Sequence, residues 1–218
     1  MLSTTEENYL KAIFKLSGEG GRNVSTNSIA REISTSAASV TDMLRKLAQK
    51  KLIHYEKYRG VQLTKEGRKA AVRLIRSHRL WEVFLLEKLG FRWDQVHEVA
   101  EEMEHVRSPL LIARLEKFLG YPKFDPHGDP IPDEHGKISY HRQVSLIELK
   151  PGEKGRITGV VEQNTNFLQY LDKMNLALNS TVEVIELNDF DNSRHLRVKG
   201  KEVFASEKVC KNLIVEKI

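Results

Sequence analysis

The sequence contains a single cysteine, Cys210, among its 218 residues. One cysteine excludes an internal disulfide framework and any zinc site built from several thiolates, which suits a reducing compartment. The sequence also lacks a run of about 18 apolar residues, and its first residues, MLSTTEE, are acidic instead of basic and then apolar. We therefore expect a cytoplasmic protein with no membrane span, no signal peptide and no membrane partner.

The net charge of +5 is small, but it is unevenly distributed along the chain. Residues 1–73 carry 14 Lys and Arg against 7 Asp and Glu, whereas residues 74–140 have a net charge of −3 and hold five of the eight histidines. Residues 141–218 have a net charge of +1. A basic first third is typical of a nucleic-acid-binding domain, and an acidic, histidine-rich middle third is suited to binding a cation.

The first third has the pattern of a winged helix-turn-helix. A capping box of Thr4 and Glu7 predicts a first helix over residues 5–17, Ser25 opens a short second helix, and Ser36 caps a longer third one. Two strand-like runs, 52–56 and 61–64, then bracket a basic tip, as in a DNA-binding wing. We predict that residues 1–73 form a DNA-binding domain.

The middle third is predicted to be helical. Residues 65–89 form a long helix that is too apolar to bury only one face, which indicates a homodimer contact. Asp94 is expected to cap a helix that runs to about Val106, and Ser108 with Pro109 begins another that ends near Leu119. We predict a dimerisation domain over residues 74–140, whose last part, from residue 121, is an irregular proline-rich linker.

The last third consists of short strand-like runs separated by turn residues. These runs are 144–149, 156–161, 181–187, 195–198 and 202–205, with a helical insertion at 167–174. Such a pattern predicts a small SH3-like β-barrel over residues 141–218. The fold class is therefore mainly α with β, in three domains.

A stripe of metal-capable side chains lies on the helix after Asp94. Its members fall within about 100° of arc, and they are His97, Glu101, Glu104 and His105. On the preceding helix His78 and Glu82 are four residues apart and share a face. Imidazole and carboxylate ligands without thiolate suit manganese or iron, and also cobalt, nickel or zinc. The alternative is a salt-bridged helix surface with ordinary histidines.

One short motif points to a different function. Glu101–His105 reads ExxEH, one residue away from the HxxEH motif of inverted zinc peptidases. The first histidine is absent, so a metallohydrolase is the weakest of the alternatives.

The third helix is the predicted recognition helix, and its N-terminal part would face the major groove. The residues predicted to contact bases or phosphates are Ser36, Ser39, Thr41, Asp42 and Arg45. Three further basic residues, Lys46, Lys57 and Arg59, are better placed for phosphates, which contribute affinity more than sequence choice.

Taken together, these segments resemble the diphtheria toxin repressor (DtxR) family of metal-dependent regulators, and its manganese-sensing branches in particular. The matching residues occur in all three thirds, and they are Thr5–Leu10, Ser39–Thr41, Tyr55–Gly60, His78–Leu80 with Glu82, Val96–Glu98, Glu104–His105, Pro126–Gly128 and Tyr170–Lys173. The resemblance implies a winged helix, a helical domain that dimerises and binds metal, and a C-terminal SH3-like (FeoA-like) domain.

The same resemblance implies two metal sites. The activating site would use Asn8, Glu101, Glu104 and His105. The second would use His78, Glu82 and His97, completed by Asp125 and His127 and by Gln163 or Asn166. Two residues depart from the pattern of manganese sensors: Asn8 offers a neutral amide where they have a carboxylate, and Lys11 would repel a second ion. The hard oxygen of Glu101 favours Mn²⁺, with Fe²⁺ as the alternative, while Zn²⁺, Co²⁺ or Ni²⁺ could substitute in vitro.

The predicted function is a homodimeric repressor of metal-uptake genes that binds a palindromic operator in double-stranded DNA and has no small-molecule substrate. The rival hypothesis is a winged-helix regulator that answers to an organic ligand.

Overall fold

The computed structural model describes residues 1–18, 21–56, 59–139 and 144–218. The chain forms two compact units. The first contains Met1–His78, Glu104–Arg107 and Pro132–Lys137, and the second contains Arg79–Met103, Ser108–Ile131 and Ile138–Ile218. Among the described residues, no helix combines the length and the apolar character needed to cross a membrane.

The first unit contains a winged helix-turn-helix. Its elements are α1 (Thr4–Ser17), α2 (Thr26–Glu32), α3 (Ala37–Gln49), β1 (Ile53–Glu56), β2 (Gly60–Leu63) and the first half of α4 (Lys65–Leu89). Serines cap α2 and α3, as predicted, because each accepts a hydrogen bond from a backbone N–H of the first helical turn. The strands pair antiparallel, with Ile53 opposite Leu63. The core of α3 is the fully buried row Val40, Leu44 and Leu47.

The predicted cap of α1 is wrong by one residue. Ser3, and not Thr4, is the N-cap, and its capping-box partner is Glu6 instead of Glu7. The hydroxyl of Ser3 accepts from the Glu6 N–H at 3.2 Å, and the Glu6 carboxylate accepts from the Ser3 N–H at 2.9 Å. Because Glu7 is not used as a cap, its side chain is available for a contact elsewhere.

The second unit begins with the rest of α4, followed by α5 (Val96–Met103) and α6 (Pro109–Phe118). These helices share a core that includes Leu80, Leu85, Val96 and Ala100. Helix α5 is shorter than predicted. Asp94 lies two residues before its first residue, and its carboxylate accepts hydrogen bonds from Arg92 and Gln169. After α6, residues 121–139 form no helix or strand, as the proline content predicted.

The C-terminal part of the second unit is a six-stranded antiparallel sheet with the order β3-β8-β4-β5-β6-β7. Its elements are β3 (Val144–Ser145), β4 (Lys154–Val160), α7 (Thr165–Lys173), β5 (Thr181–Leu187), β6 (Arg194–Val198), β7 (Lys201–Ala205), α8 (Glu207–Asn212) and β8 (Leu213–Lys217). The predicted class, mainly α with an SH3-like β domain, is confirmed, but α8 and β8 were not predicted.

Candidate metal centre

Some metal-capable residues of the middle third belong to the first unit, and Glu104 is the most buried of these. Its side chain is 1% exposed, and its Oε2 lies 2.6 Å from Nδ1 of His78 and 2.5 Å from Nζ of Lys11. Lys11 belongs to α1. The carboxylate of Glu104 is therefore contacted by one residue of the DNA-binding domain, Lys11, and by one other residue of the middle third, His78. A buried carboxylate needs partners of this kind, because an isolated charge is costly to remove from water.

His105 is oriented by a carboxylate that the sequence analysis missed. Its Nδ1 lies 2.7 Å from Oε2 of Glu7 on α1. Because a carboxylate accepts, the ring donates from Nδ1, so Nε2 is the nitrogen that carries the lone pair when the ring is neutral. That nitrogen lies on the side of Glu104, 3.7 Å from its Oε1. A histidine whose second nitrogen donates to a carboxylate is the usual arrangement for a metal ligand.

Asn8 lies between these contacts on α1, one residue after Glu7 and three before Lys11. Its Oδ1 is buried and accepts no hydrogen bond from any residue that the structure describes. A buried amide oxygen without a donor is costly, and a hard cation would satisfy it. Asn8, Glu104 and His105 therefore offer an oxygen, a carboxylate and an imidazole nitrogen, which is a donor set that fits a divalent transition metal.

A second cluster lies within the second unit. One ligand atom each from Glu82, Asp125 and His127 lies within 4.8 Å of the others, and all three side chains are buried. His127 Nδ1 is 3.6 Å from Oε1 of Glu82, too far for a hydrogen bond, and has no hydrogen-bond partner in the described part of the chain. Nδ1 of His97 lies 3.3 Å from the same carboxylate oxygen. The residues of this cluster also fit a divalent ion.

Arg79 and Asp129 surround Asp125 and were not predicted as part of the site. Nε of Arg79 lies 3.4 Å from Asp125 Oδ2, and its Nη2 lies 3.1 Å from Asp129 Oδ2. Burial and the negative charges of Glu82 and Asp129 raise the pKa of Asp125 to about 7, against the opposing effect of Arg79 and His127. The raised pKa reflects burial first and the neighbouring carboxylates second, and a cation bound beside Asp125 would act in the opposite direction.

For His127, burial acts to lower the pKa, but the adjacent Glu82 and Asp125 outweigh it and raise the pKa to about 9. The raised pKa favours the protonated imidazole, in which the N–H at Nδ1 faces the carboxylate of Glu82 at 3.6 Å. A divalent ion at this position would replace that proton.

Two predicted ligands have other contacts. The carboxylate of Glu101 lies 3.5 Å from Nε2 of His97 and is half exposed. The amide of Gln163 donates to Asp129 at 3.3 Å. Their assignment to the first and second site, respectively, stays a prediction.

Of the predicted DNA contacts, Ser36 is the N-cap of α3, and those that belong to α3 itself are Ser39, Thr41, Asp42, Arg45 and Lys46. The hydroxyls of Ser36 and Ser39 are 2.9 Å apart, and Thr41 donates to the carbonyl of Ala37. Asp42 and Arg45 form an exposed ion pair of 3.1 Å, and Lys46 is also exposed. In the wing, Arg59 pairs with Glu56 at 3.1 Å, whereas Lys57 lies outside the described residues.

Comparison with protein families divides the chain into three matched regions. The iron dependent repressor N-terminal DNA binding domain matches residues 1–61, and the iron dependent repressor metal binding and dimerisation domain matches residues 64–133. The FeoA domain matches residues 144–217.

Individual proteins match over most of the chain. The chain is 34% identical to the iron-dependent repressor IdeR of Mycobacterium leprae, over 77% of this chain and 75% of that protein. It is 29% identical to the diphtheria toxin repressor of Corynebacterium diphtheriae, over 100% and 99%. A solved structure of a manganese-dependent transcriptional repressor in complex with manganese has a TM-score of 0.83 at 32% identity, and the match covers 98% of this chain and 100% of that one.

These matches decide between the functional classes. The matched families are those of DNA-binding repressors and not of enzymes, so the ExxEH motif of residues 101–105 does not indicate a hydrolase. The family binds DNA through the first matched region and dimerises through the second. With its winged helix, its helical domain and its FeoA domain, the chain belongs to the DtxR family of metal-dependent transcriptional repressors.

Proposed function

We propose that this chain is a cytoplasmic manganese-responsive repressor, with Fe²⁺ as the alternative ion, which binds a palindromic operator as a homodimer and controls metal-uptake genes. One observation carries the proposal: α1, from the region matched by the DNA-binding domain, contacts Glu104 and His105, from the region matched by the metal-binding domain. An ion at this position would join the two regions.

The donor atoms support manganese over softer ions. Asn8 would contribute its unpartnered Oδ1, Glu104 a carboxylate oxygen and His105 its Nε2. No cysteine is available here, since Cys210 is the only one in the sequence and lies in α8. Oxygen and imidazole ligands without thiolate favour Mn²⁺ and Fe²⁺, although Zn²⁺, Co²⁺ and Ni²⁺ would also bind to such a set.

The residues of the chain have distinct tasks in this proposal. Glu7 fixes the imidazole of His105, so that Nε2 points toward Glu104. Asn8 ties α1 to the ion, which supplies two positive charges in a buried site. Because α1 packs against α2 and β2, holding α1 holds the whole winged domain. The ion acts only through a higher affinity for this DNA-competent arrangement, so DNA should tighten ion binding by the same factor.

The second cluster is proposed to bind a further ion. Glu82, Asp125 and His127 supply two carboxylates and one imidazole, and His97 is within reach of Glu82. None of these residues belongs to the winged domain. We infer that this ion stabilises the second unit instead of acting directly on DNA affinity.

For DNA, two copies of α3 would enter successive major grooves, at half-sites one helical turn or a multiple apart. Ser39 and Arg45 are exposed on α3 and Thr41 is half-buried there. These three would contact base edges or phosphates, while Lys46 and Arg59 would contact phosphates. Ser36 is also the N-cap of α3, because its hydroxyl accepts a hydrogen bond from the N–H of Ser39.

The test is a series of DNA-binding titrations with different divalent ions. An operator is first selected from random DNA in the presence of Mn²⁺, and its affinity for the full chain is then measured by fluorescence anisotropy with Mn²⁺, Fe²⁺, Zn²⁺, Co²⁺ or Mg²⁺. We expect Mn²⁺ and Fe²⁺ to raise affinity most and Mg²⁺ to have little effect. Binding that does not change when a chelator is added would contradict the proposal and favour the rival regulator that responds to an organic ligand.

A further inference from the structure

The turn that carries Asp125 and His127 packs directly on the C-terminal sheet. At its apex Gly128 has φ +90°, and a Cβ at this position would lie 2.5 Å from Cα of Gly159 in β4. Conversely, a Cβ at Gly159 would lie 2.6 Å from the carbonyl oxygen of His127 and 2.9 Å from Cα of Gly128. Contacts this short are possible only between glycines, so both positions are needed for the two backbones to meet.

Hydrogen bonds from the same region fix His127 on two sides. The N–H of Val160, which follows Gly159 in β4, donates to the carbonyl of His127 at 2.8 Å. The imidazole Nε2 of His127 donates to the carbonyl of Trp93 at 2.9 Å. The side chain of Trp93 is buried in the core of the C-terminal sheet, and its indole N–H donates to Asp172 of α7.

These anchors determine which nitrogen of His127 faces the cluster. With Nε2 donating to a carbonyl, Nδ1 is the nitrogen left for a ligand. This buried atom faces Glu82 and has no hydrogen-bond partner among residues 1–18, 21–56, 59–139 and 144–218. Asp125 is fixed by the same turn, because its Oδ1 accepts from the N–H groups of His127 and Asp129 at 2.8 and 3.0 Å. The sheet, through this turn, thus fixes the positions of two of the three candidate ligands of this cluster, Asp125 and His127.

We propose that Gly159 and β4 of the C-terminal domain are positioning elements for the second metal site: the backbone of β4 places His127 and Asp125 for the ion, and the ion in return holds the turn on β4. This inference rests on the second ion of the proposed function. The role belongs to the backbone, because it is the main chain of β4 that contacts the turn. The two effects are thermodynamically linked: if the contact with β4 strengthens ion binding, ion binding strengthens the contact between the turn and β4 by the same factor.

The experiment compares Gly159→Ala with Gly155→Ala in the full chain. Both replace a glycine of β4, but a Cβ at Gly155 would meet side chains of Val215 and Leu149 in the sheet core, at 3.1 Å or more, and not the turn. Mn²⁺ binding is measured by isothermal titration calorimetry and equilibrium dialysis, and circular dichroism checks the fold.

We expect Gly159→Ala to weaken the second ion about 10- to 100-fold, as is typical when a group that orients a ligand is lost, while the first ion keeps its affinity. Gly155→Ala should bind both ions as the wild type does. Equal second-site affinity in Gly159→Ala and wild type would overturn the inference, and so would a wild type that binds only one ion. A wild type that binds no Mn²⁺ at all would instead contradict the proposed function.

A measurement on the wild type keeps the inference testable even if Gly159→Ala does not fold. Hydrogen exchange of the Val160 amide is followed with and without Mn²⁺, in the wild type and in Glu82→Gln. We expect Mn²⁺ to slow this exchange at least about 10-fold in the wild type and to have no effect in Glu82→Gln. Exchange that does not respond to Mn²⁺ in the wild type would overturn the inference.

Discussion

Nζ of Lys11 lies 2.5 Å from Oε2 of Glu104, and both side chains are buried, with 7% and 1% of their surface exposed. Glu104 also contacts His78 at 2.6 Å. The central carboxylate of the first site therefore has a cationic partner supplied by the chain itself. An ammonium at this position supplies one positive charge to the carboxylate and would repel a second cation beside it.

Replacing Lys11 by methionine should make the protein more dependent on metal. The substitution leaves the buried carboxylate of Glu104 without its ion pair, and breaking a buried pair in this way costs about 3–5 kcal/mol. We expect the free energy of unfolding without metal to fall by about that amount, and the increase in Tm on adding Mn²⁺ to exceed that of the wild type. Urea and thermal unfolding measure both quantities.

The matched control is Lys69→Met, which removes the same charge at an exposed position of α4. It should unfold like the wild type. An equal Mn²⁺-induced shift in Tm for Lys11→Met and the wild type would show that Lys11 does not compensate Glu104.

Asn8→Asp should tighten Mn²⁺ binding at the first site. The substitution puts a charged oxygen where the unpartnered Oδ1 of Asn8 now lies, and a carboxylate is a stronger ligand for a hard divalent ion than a neutral amide. We expect about a tenfold lower Kd or better by calorimetry. Asn8→Ala should weaken binding, and the same Kd for the two variants would exclude Asn8 as a ligand.

Lys46→Ala should lower DNA affinity without changing which sequence is preferred. Lys46 is exposed on α3, and losing one phosphate contact reduces the dependence of log K on log salt by about one. Anisotropy titrations between about 50 and 200 mM salt measure this slope. Lys117→Ala, at an exposed position of α6, serves as the control, and a slope unchanged by Lys46→Ala would remove this residue from the DNA interface.

The thiol of Cys210 should be inert in the folded protein. It is fully buried, and this burial raises its pKa to about 11, with a smaller opposing effect from Arg194. Because the folded pKa is raised, the stability it contributes is complete below the ordinary pKa of a thiol, about 8.5, and is lost as the pH rises through about 11. We expect Ellman's reagent at neutral pH to react slowly with the native chain and rapidly after unfolding. Rapid reaction of the native chain would contradict the burial.

Much of the fold could be predicted because its signals are local. Serines before apolar rows mark the starts of α2 and α3, and Pro109 marks the start of α6. The error at α1 has the same local origin: the run Ser3–Glu7 contains two overlapping capping boxes one residue apart, and the sequence does not decide between them. The strand β8 was not predicted for a different reason: its pairing with β4 is non-local, so it leaves no signal in the neighbouring sequence.

The candidate site was predictable in its residue types but not in its contacts. Glu104 and His105 stand out through the helical spacing that the sequence predicts for residues 97–105, although both lie beyond the end of α5 at Met103. Their partners on α1, Lys11 and Glu7, are 93 and 98 residues away in sequence, and no local pattern indicates such pairs. The contact between Gly128 and Gly159 could not be predicted from the sequence either. It forms because neither residue has a Cβ at the point where the two backbones meet.

The most direct test of the account is the DNA affinity of the wild type and of Glu104→Gln, each measured with and without saturating Mn²⁺, beside the exposed control Glu102→Gln. We predict that Mn²⁺ raises the affinity of the wild type and of Glu102→Gln by about 10-fold or more, within the usual range of coupling between sites, and leaves that of Glu104→Gln unchanged. A Glu104→Gln variant whose DNA binding still responds fully to Mn²⁺ would contradict the claim that the ion held at Glu104 controls the repressor.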